Sequence, residues 1–153
     1  MTTSDELVAT LDEAVTGALR ALVGVESAVR TAGAASALEG FADVSAVLVV
    51  TTRAGEGYFV LSFTGAVGTA LAKLILADVT AAPDPEMMRD CLGEVVNVIA
   101  GQAKTLLVGT PLHFVLGTPT VATGPPALAV LSRVLVAFTS DIGEFTLHVR
   151  LPA

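Results

Sequence analysis

Between Pro85 and Gly109 the apolar residues recur at helical spacing. Met88, Leu92, Val95, Ile99, Ala103 and Leu106 fall on one side at about 100° per residue. Asp90, Glu94, Asn97, Gly101 and Lys104 recur three or four apart on the other side. This is the pattern of an amphipathic helix packed on a core. Pro85 and Glu86 suit its first turn, and Gly109 followed by Pro111 suits its end. A second helical pattern runs from Thr3 to Val23, opened by the capping-box pair Thr3 and Glu6 and closed by Gly24. Its broad apolar face predicts packing on a sheet or across a dimer. A third runs from Gly65 to Asp78, with Thr64 as its N-cap and Val67, Leu71, Leu74 and Ile75 facing inward.

Strand-like segments fill most of the remainder. Val44 to Thr52 and Tyr58 to Phe63 predict an antiparallel hairpin turning at Arg53 to Gly57. Pro111 to Leu116 and Thr120 to Ala122 read as pieces either side of Pro119, which favours an edge or a break. Leu128 to Thr139 and Glu144 to Leu151 predict a C-terminal hairpin. Val25 to Arg30 reads as a short strand, and Thr31 to Gly40, small and weakly patterned, as a loop. Helices and strands come in runs without strict alternation. That predicts one α+β domain over residues 1–153: a mostly antiparallel sheet covered by two central helices, plus an N-terminal helix.

Composition narrows the function classes. A net charge of −7 and a pI near 4.6 argue against nucleic acid and anionic membranes as partners. Hydrophobic residues make up 53% of the 153, which suggests apolar surface covered by a partner or a second copy. The apolar runs are nonetheless interrupted, at Asn97, Gln102, Lys104 and Arg133, well short of the roughly 18 residues of a membrane span. The start, Met-Thr-Thr-Ser-Asp-Glu, is acidic and unlike a signal peptide. The one cysteine, Cys91, rules out an internal disulfide, lies on an apolar helix side as a small hydrophobe, and fits a cytoplasmic protein.

Self-contained catalytic signatures are missing. The sequence holds neither a P-loop nor a Gly-x-Ser-x-Gly elbow. His113 and His148, both in strand-like runs, and Cys91 do not make a metal site. Gly55 and Gly57 read as turn glycines. With no nucleophile, metal cage or cofactor fingerprint, the expectation is that any catalysis draws its metal and reactive group from a partner.

The polar side of the central helix is unusual. Asn97 is a poor helix former, and Gly93 and Gly101, on or beside the polar stripe, each cost roughly 0.5–1 kcal/mol relative to Ala. By spacing alone this is a solvated face that tolerates glycine. The residues themselves carry a more specific likeness. Asp90-x-x-x-Glu94-x-x-Asn97, continued by Gly101-Gln-Ala-Lys104, resembles the phosphatase helix of the CheC/CheX/FliY chemotaxis phosphatases. Its single copy is closest to the CheX branch. Pro119, in Leu116-Gly-Thr-Pro-Thr-Val121, resembles the family's proline after that helix. Asp43-Val-Ser-Ala-Val-Leu and Tyr58-Phe-Val-Leu-Ser-Phe-Thr resemble its paired strands, so the likeness spans most of the chain.

The resemblance implies a phosphatase acting on the aspartyl phosphate of a CheY-like response-regulator receiver. Mg²⁺ would be supplied by that receiver, and the chain would need no cofactor of its own. Asn97 would orient the attacking water, and Glu94 would accept a hydrogen bond from the receiver's lysine. Asp90, Gly93, Gly101 and Lys104 would contact the partner, the glycines by giving it room. A homodimer is implied as well. Two other readings stand beside it: a non-catalytic receiver-binding or signalling module of the same fold, and a sensor of small ligands held between sheet and helices.

Overall fold

The computed structural model describes residues 4–127 and 132–153. Its elements are α1 (Ser4–Val23), β1 (Ser27–Ala35), β2 (Val44–Thr52), β3 (Gly55–Phe63), α2 (Gly65–Leu76), α3 (Pro85–Leu106), β4 (Val115–Thr123), β5 (Arg133–Ser140) and β6 (Phe145–Arg150). The six strands form one sheet in the order β1-β5-β6-β3-β2-β4, with every neighbouring pair antiparallel. This is the α+β arrangement that the runs of strands and helices predict. All three helices contribute to one core with the sheet. Leu11, Val15 and Leu19 of α1, Leu71 of α2, and Val96 and Ile99 of α3 meet Leu48, Phe59, Leu61, Phe138 and Leu147. The N-terminal helix therefore joins the two central ones in covering the sheet. No helix among the described residues is long and apolar enough to cross a membrane.

Several boundaries differ from the sequence pattern, each for a physical reason. Thr31 to Gly40 was expected to be a loop, yet β1 continues to Ala35, paired with β5 down to Ala35↔Arg133. Backbone pairing holds this edge strand. Its small side chains and a register shift between Val29 and Thr31 erase the period-two signal. The two pieces either side of Pro119 are one strand, β4, at the sheet edge, where a residue lacking N–H is tolerated. Before it, Leu112 and Phe114 are buried without being in a strand, Phe114 packing 5.2 Å from the Phe59 ring. His113 lies in that same loop and not in a strand.

Gly57 is a strand residue, not a turn residue. A Cβ there would overlap the carbonyl of Arg150 on β6, so the close approach of β3 and β6 requires glycine. Of the N-terminal capping box, Thr3 lies outside the described residues, as do residues 128–131 of the expected strand from Leu128.

The opposite sheet face carries a second, smaller arrangement. Val47, Tyr58 and Val60 cluster with Phe41. Beside them Arg133 and His148 are buried. The Arg133 Nε donates to His148 Nδ1 at 2.8 Å, and its Nη2 donates to the carbonyls of Ala37 and Glu39 at 2.7 and 2.9 Å. Phe41 stacks on the His148 ring with centroids 3.8 Å apart. Gly40 takes φ +83°, and a Cβ there would stand 2.9 Å from both Leu135 methyls. The segment after β1 is thereby fastened across the back of the sheet.

Candidate functional site: the solvent face of helix α3

Helix α3 is built to be fixed in place. The Asp84 side chain caps its first turn by accepting from the Met87 N–H at 2.8 Å, and Pro85 sits where no intrahelical donor is needed. Sequence reading places Pro85 and Glu86 in this first turn and leaves the Asp84 cap unnamed. Cys91, Leu92, Val95, Val96, Ile99, Ala100 and Ala103 are buried on the core side. At about 1.5–3 kcal/mol for each fully buried Val, Leu or Ile, this face holds the helix firmly on the sheet. Two positions differ from the predicted stripe. Leu106 is exposed, at 41%, and Leu107 takes the inward place at the helix end. The burial of Cys91, together with the Glu94 charge, pushes its thiol pKa up, as suits an inert core residue.

The polar residues line up along the outer side. Asp90 and Glu94 are exposed; Asn97, Gly101 and Lys104 are half-buried. Helical geometry puts Asn97 about 60° around and about 4.5 Å along from Glu94, so both project from one ridge. No described residue makes a hydrogen bond or ion pair with the side chains of Asp90, Glu94, Asn97 or Lys104. A groove of ≈ 720 Å³ borders the ridge, lined by Asp90, Gly93, Glu94, Thr118, Pro119 and Val121 among others. Pro119 is thus brought beside Glu94, while Asn97 stands outside the groove.

Gly93 departs from the expected placement on or beside the polar stripe. It is buried, and a Cβ added to it would meet Pro119 Cβ at 3.5 Å and Val121 Cγ2 at 3.8 Å. Its position serves helix–strand packing against β4. Gly101, by contrast, has nothing within 4 Å of where a Cβ would be. Elsewhere, a larger opening of ≈ 820 Å³ lies by the β2–β3 turn, lined by Arg53, Thr110 and His113 among others. None of the α3 polar residues lines it. Among the described residues no three His, Cys, Asp or Glu side chains are grouped to hold a metal ion.

Chemically, the ridge offers a carboxylate acceptor and a neutral amide that both donates and accepts. Neither is a nucleophile poised on a base. Such a pair can position groups that belong to another molecule.

The family model described as chemotaxis phosphatase CheX matches residues 44–139. The chain belongs to the CheX family. The matched segment holds the whole of α3 together with β2, β3, α2 and β4. Among solved structures, a CheX chemotaxis protein from Desulfovibrio desulfuricans superposes with a TM-score of 0.83 at 25% identity, covering 95% of this chain and 99% of that one. The CheX of a CheX–CheY–BeF3–Mg complex from Borrelia burgdorferi gives 0.76 at 18% identity, over 96% and 98% of the two chains. FliY from Thermotoga maritima gives 0.62 at 18% identity, over 100% and 93%. No curated protein matches this chain. The CheX fold of the present chain therefore carries Glu94 and Asn97 on the outer ridge of its best-anchored helix.

Proposed function

We propose that this CheX-family chain accelerates hydrolysis of the aspartyl phosphate on a CheY-like receiver, with α3 entering the receiver's active site. The observation that carries the reading is the ridge itself: a carboxylate and an amide one turn apart, facing outward, with no hydrogen-bonding or ionic partner among the described residues. The Borrelia relative, solved as a complex with CheY, BeF3 and Mg²⁺, supports a receiver as the partner.

Asn97 holds the attacking water in line with the breaking P–O bond, donating and accepting without a charge of its own. Glu94 accepts a hydrogen bond from the receiver's lysine and fixes the docked orientation. Mg²⁺ comes with the receiver, where it offsets the charge of the phosphoryl group during transfer. Asp90 helps orient Glu94 or the docked partner, and Lys104 meets acidic groups of the receiver. A homodimer completes the proposal, given the apolar composition.

Loss of a positioned group of this kind costs on the order of 2–4 kcal/mol in the barrier, or about 30- to 1,000-fold in rate. Phosphate release from phosphorylated receivers of the source organism, followed with and without the protein, is the test. The native chain speeds release, and Asn97→Ala removes the acceleration with circular dichroism unchanged. Tight binding of the phosphorylated receiver with no faster release would instead make the chain a non-catalytic receiver-binding module. Light scattering at micromolar concentration tests the dimer, and a monomer mass would refute it.

A further inference from the structure

Beyond Gly65 at the start of α2, four glycines lie inside the helices, and at three of them an added Cβ would touch a neighbour. At Gly17 of α1 a Cβ would stand 2.8 Å from Gln102 Oε1. At Gly68 of α2 it would meet Leu92 Cδ1 at 3.5 Å, and at Gly93 it would meet Pro119. Gly101 has no such neighbour, and its φ is not in the positive region that favours glycine. Glycine in a helix interior destabilises the helix relative to alanine through chain entropy. The fold alone therefore gains nothing from Gly101. Its place is one turn beyond Asn97, on the same outward ridge.

We propose that Gly101 is a clearance residue: a backbone segment of the receiver packs directly on α3 there, and the missing side chain sets how deeply Asn97 reaches. This rests on the receiver reading above and extends it to a positioning and specificity role. A methyl at that point lifts the partner off the helix by more than an ångström. The water-orienting amide is then displaced from the phosphoryl group by a similar distance. Displacements of that size cost about a hundredfold in rate where geometry governs the reaction. The segment that fits is bare backbone or another small residue, since a bulky side chain would not need the gap.

The test compares Gly101→Ala and Gly101→Leu with the native chain in three measurements. These are thermal unfolding, affinity for beryllofluoride-activated receivers of the source organism with Mg²⁺, and release of phosphate from the phosphorylated receivers. Both variants should melt higher than the native protein. Both should bind the receiver more weakly, leucine more than alanine, with phosphate release falling tenfold or more. The melting measurement separates this role from a structural one, since damage to the helix lowers the melting temperature. Weaker binding with a raised melting temperature sustains the inference even if the native chain binds receivers without hydrolysing them, so the two proposals fail separately. Variants that bind and turn over like the native chain overturn it. So do variants that lose binding while melting lower, and so does failure of every receiver to bind the native protein.

Discussion

Two polar groupings in this molecule obey opposite rules. Behind the sheet, Arg133 and His148 are buried, and their hydrogen-bonding groups meet partners from β5, β6 and the segment after β1. On α3, Asp90, Glu94, Asn97 and Lys104 find no hydrogen-bonding or ionic partner among the described residues. A buried polar group without a partner costs the fold heavily, so the first grouping had to be closed within the chain. The second faces water, which satisfies it at no structural cost and leaves it free to be handed to another molecule. Polar residues that the fold closes on itself serve the fold. Polar residues that a rigid helix holds open are the ones available for function.

The largest effect expected from this contrast is at Arg133. Arg133→Ala leaves the carbonyls of Ala37 and Glu39 and the His148 Nδ1 acceptor without their donor, and takes a cation from above the Phe41 ring, now 4.8 Å from its centroid. Breaking a buried charged network in this way costs roughly 3–5 kcal/mol. Urea unfolding should show most of the chain's stability gone. A loss below about 1 kcal/mol would mean that the arrangement is not closed as described.

Next in size is the pH dependence of the same grouping. Because Arg133 Nε donates to Nδ1, the ring proton of neutral His148 sits on Nε2, facing Thr146 Oγ1 at 3.0 Å and the Gly40 carbonyl at 3.3 Å. Burial first, and the Arg133 charge second, lower its pKa from 6.5 to about 4. The Gly40 carbonyl and the Glu39 carboxylate oppose that shift only in part. Between these values the unfolded chain binds a proton that the folded chain refuses. Stability from this residue is complete above about pH 6.5, is lost as pH falls towards 4, and amounts to about 3 kcal/mol. His148→Gln keeps an acceptor for Arg133 and removes the titration. Its unfolding free energy should be nearly flat from pH 6.5 to 4.5, where the native protein's falls. Parallel profiles for the two proteins would remove His148 from the acid response. Glu26 and Glu39, whose carboxyls are held below the usual range by Arg20 and by backbone N–H groups respectively, shape the curve at lower pH.

The contrast also explains what was legible in the sequence. The α3 ridge could be read because helical period and motif spacing are local, and because Asn97 and Gly101 contradict helix propensity where no core demands them. The hairpin of β2 and β3 and the Thr64 cap, accepting from Val67 N–H at 3.2 Å, were local too. The Arg133 grouping was not legible. His148 meets Arg133 across 15 positions and Gly40 across 108, and nothing in the spacing of either residue announces a partner that far away. The same holds for Gly93, whose neighbour Pro119 is supplied by β4, and for β1, whose partner strand lies a hundred residues later. Helix periodicity places a residue on a side of its helix. It does not say which edge of that helix a distant strand will cover.

The smallest expected effect is the sharpest check on the contrast, because it is an absence of change where charge is removed. Asp90→Asn and Glu94→Gln each delete a carboxylate that makes no hydrogen bond or ion pair with a described residue. Surface substitutions away from such contacts stay within about 0.5 kcal/mol. Asp90, in the second turn of α3, stands to lose only a few tenths from its favourable place near the helix N-terminus, for which about 0.3 kcal/mol is a fair estimate. Urea unfolding of both variants should therefore overlay the native curve, while Glu94→Gln weakens receiver binding. A loss of more than about 1 kcal/mol in either variant, against the surface range just given, would show that these carboxylates support the fold. The ridge would then belong with Arg133 and His148, and its freedom to serve a partner would be gone.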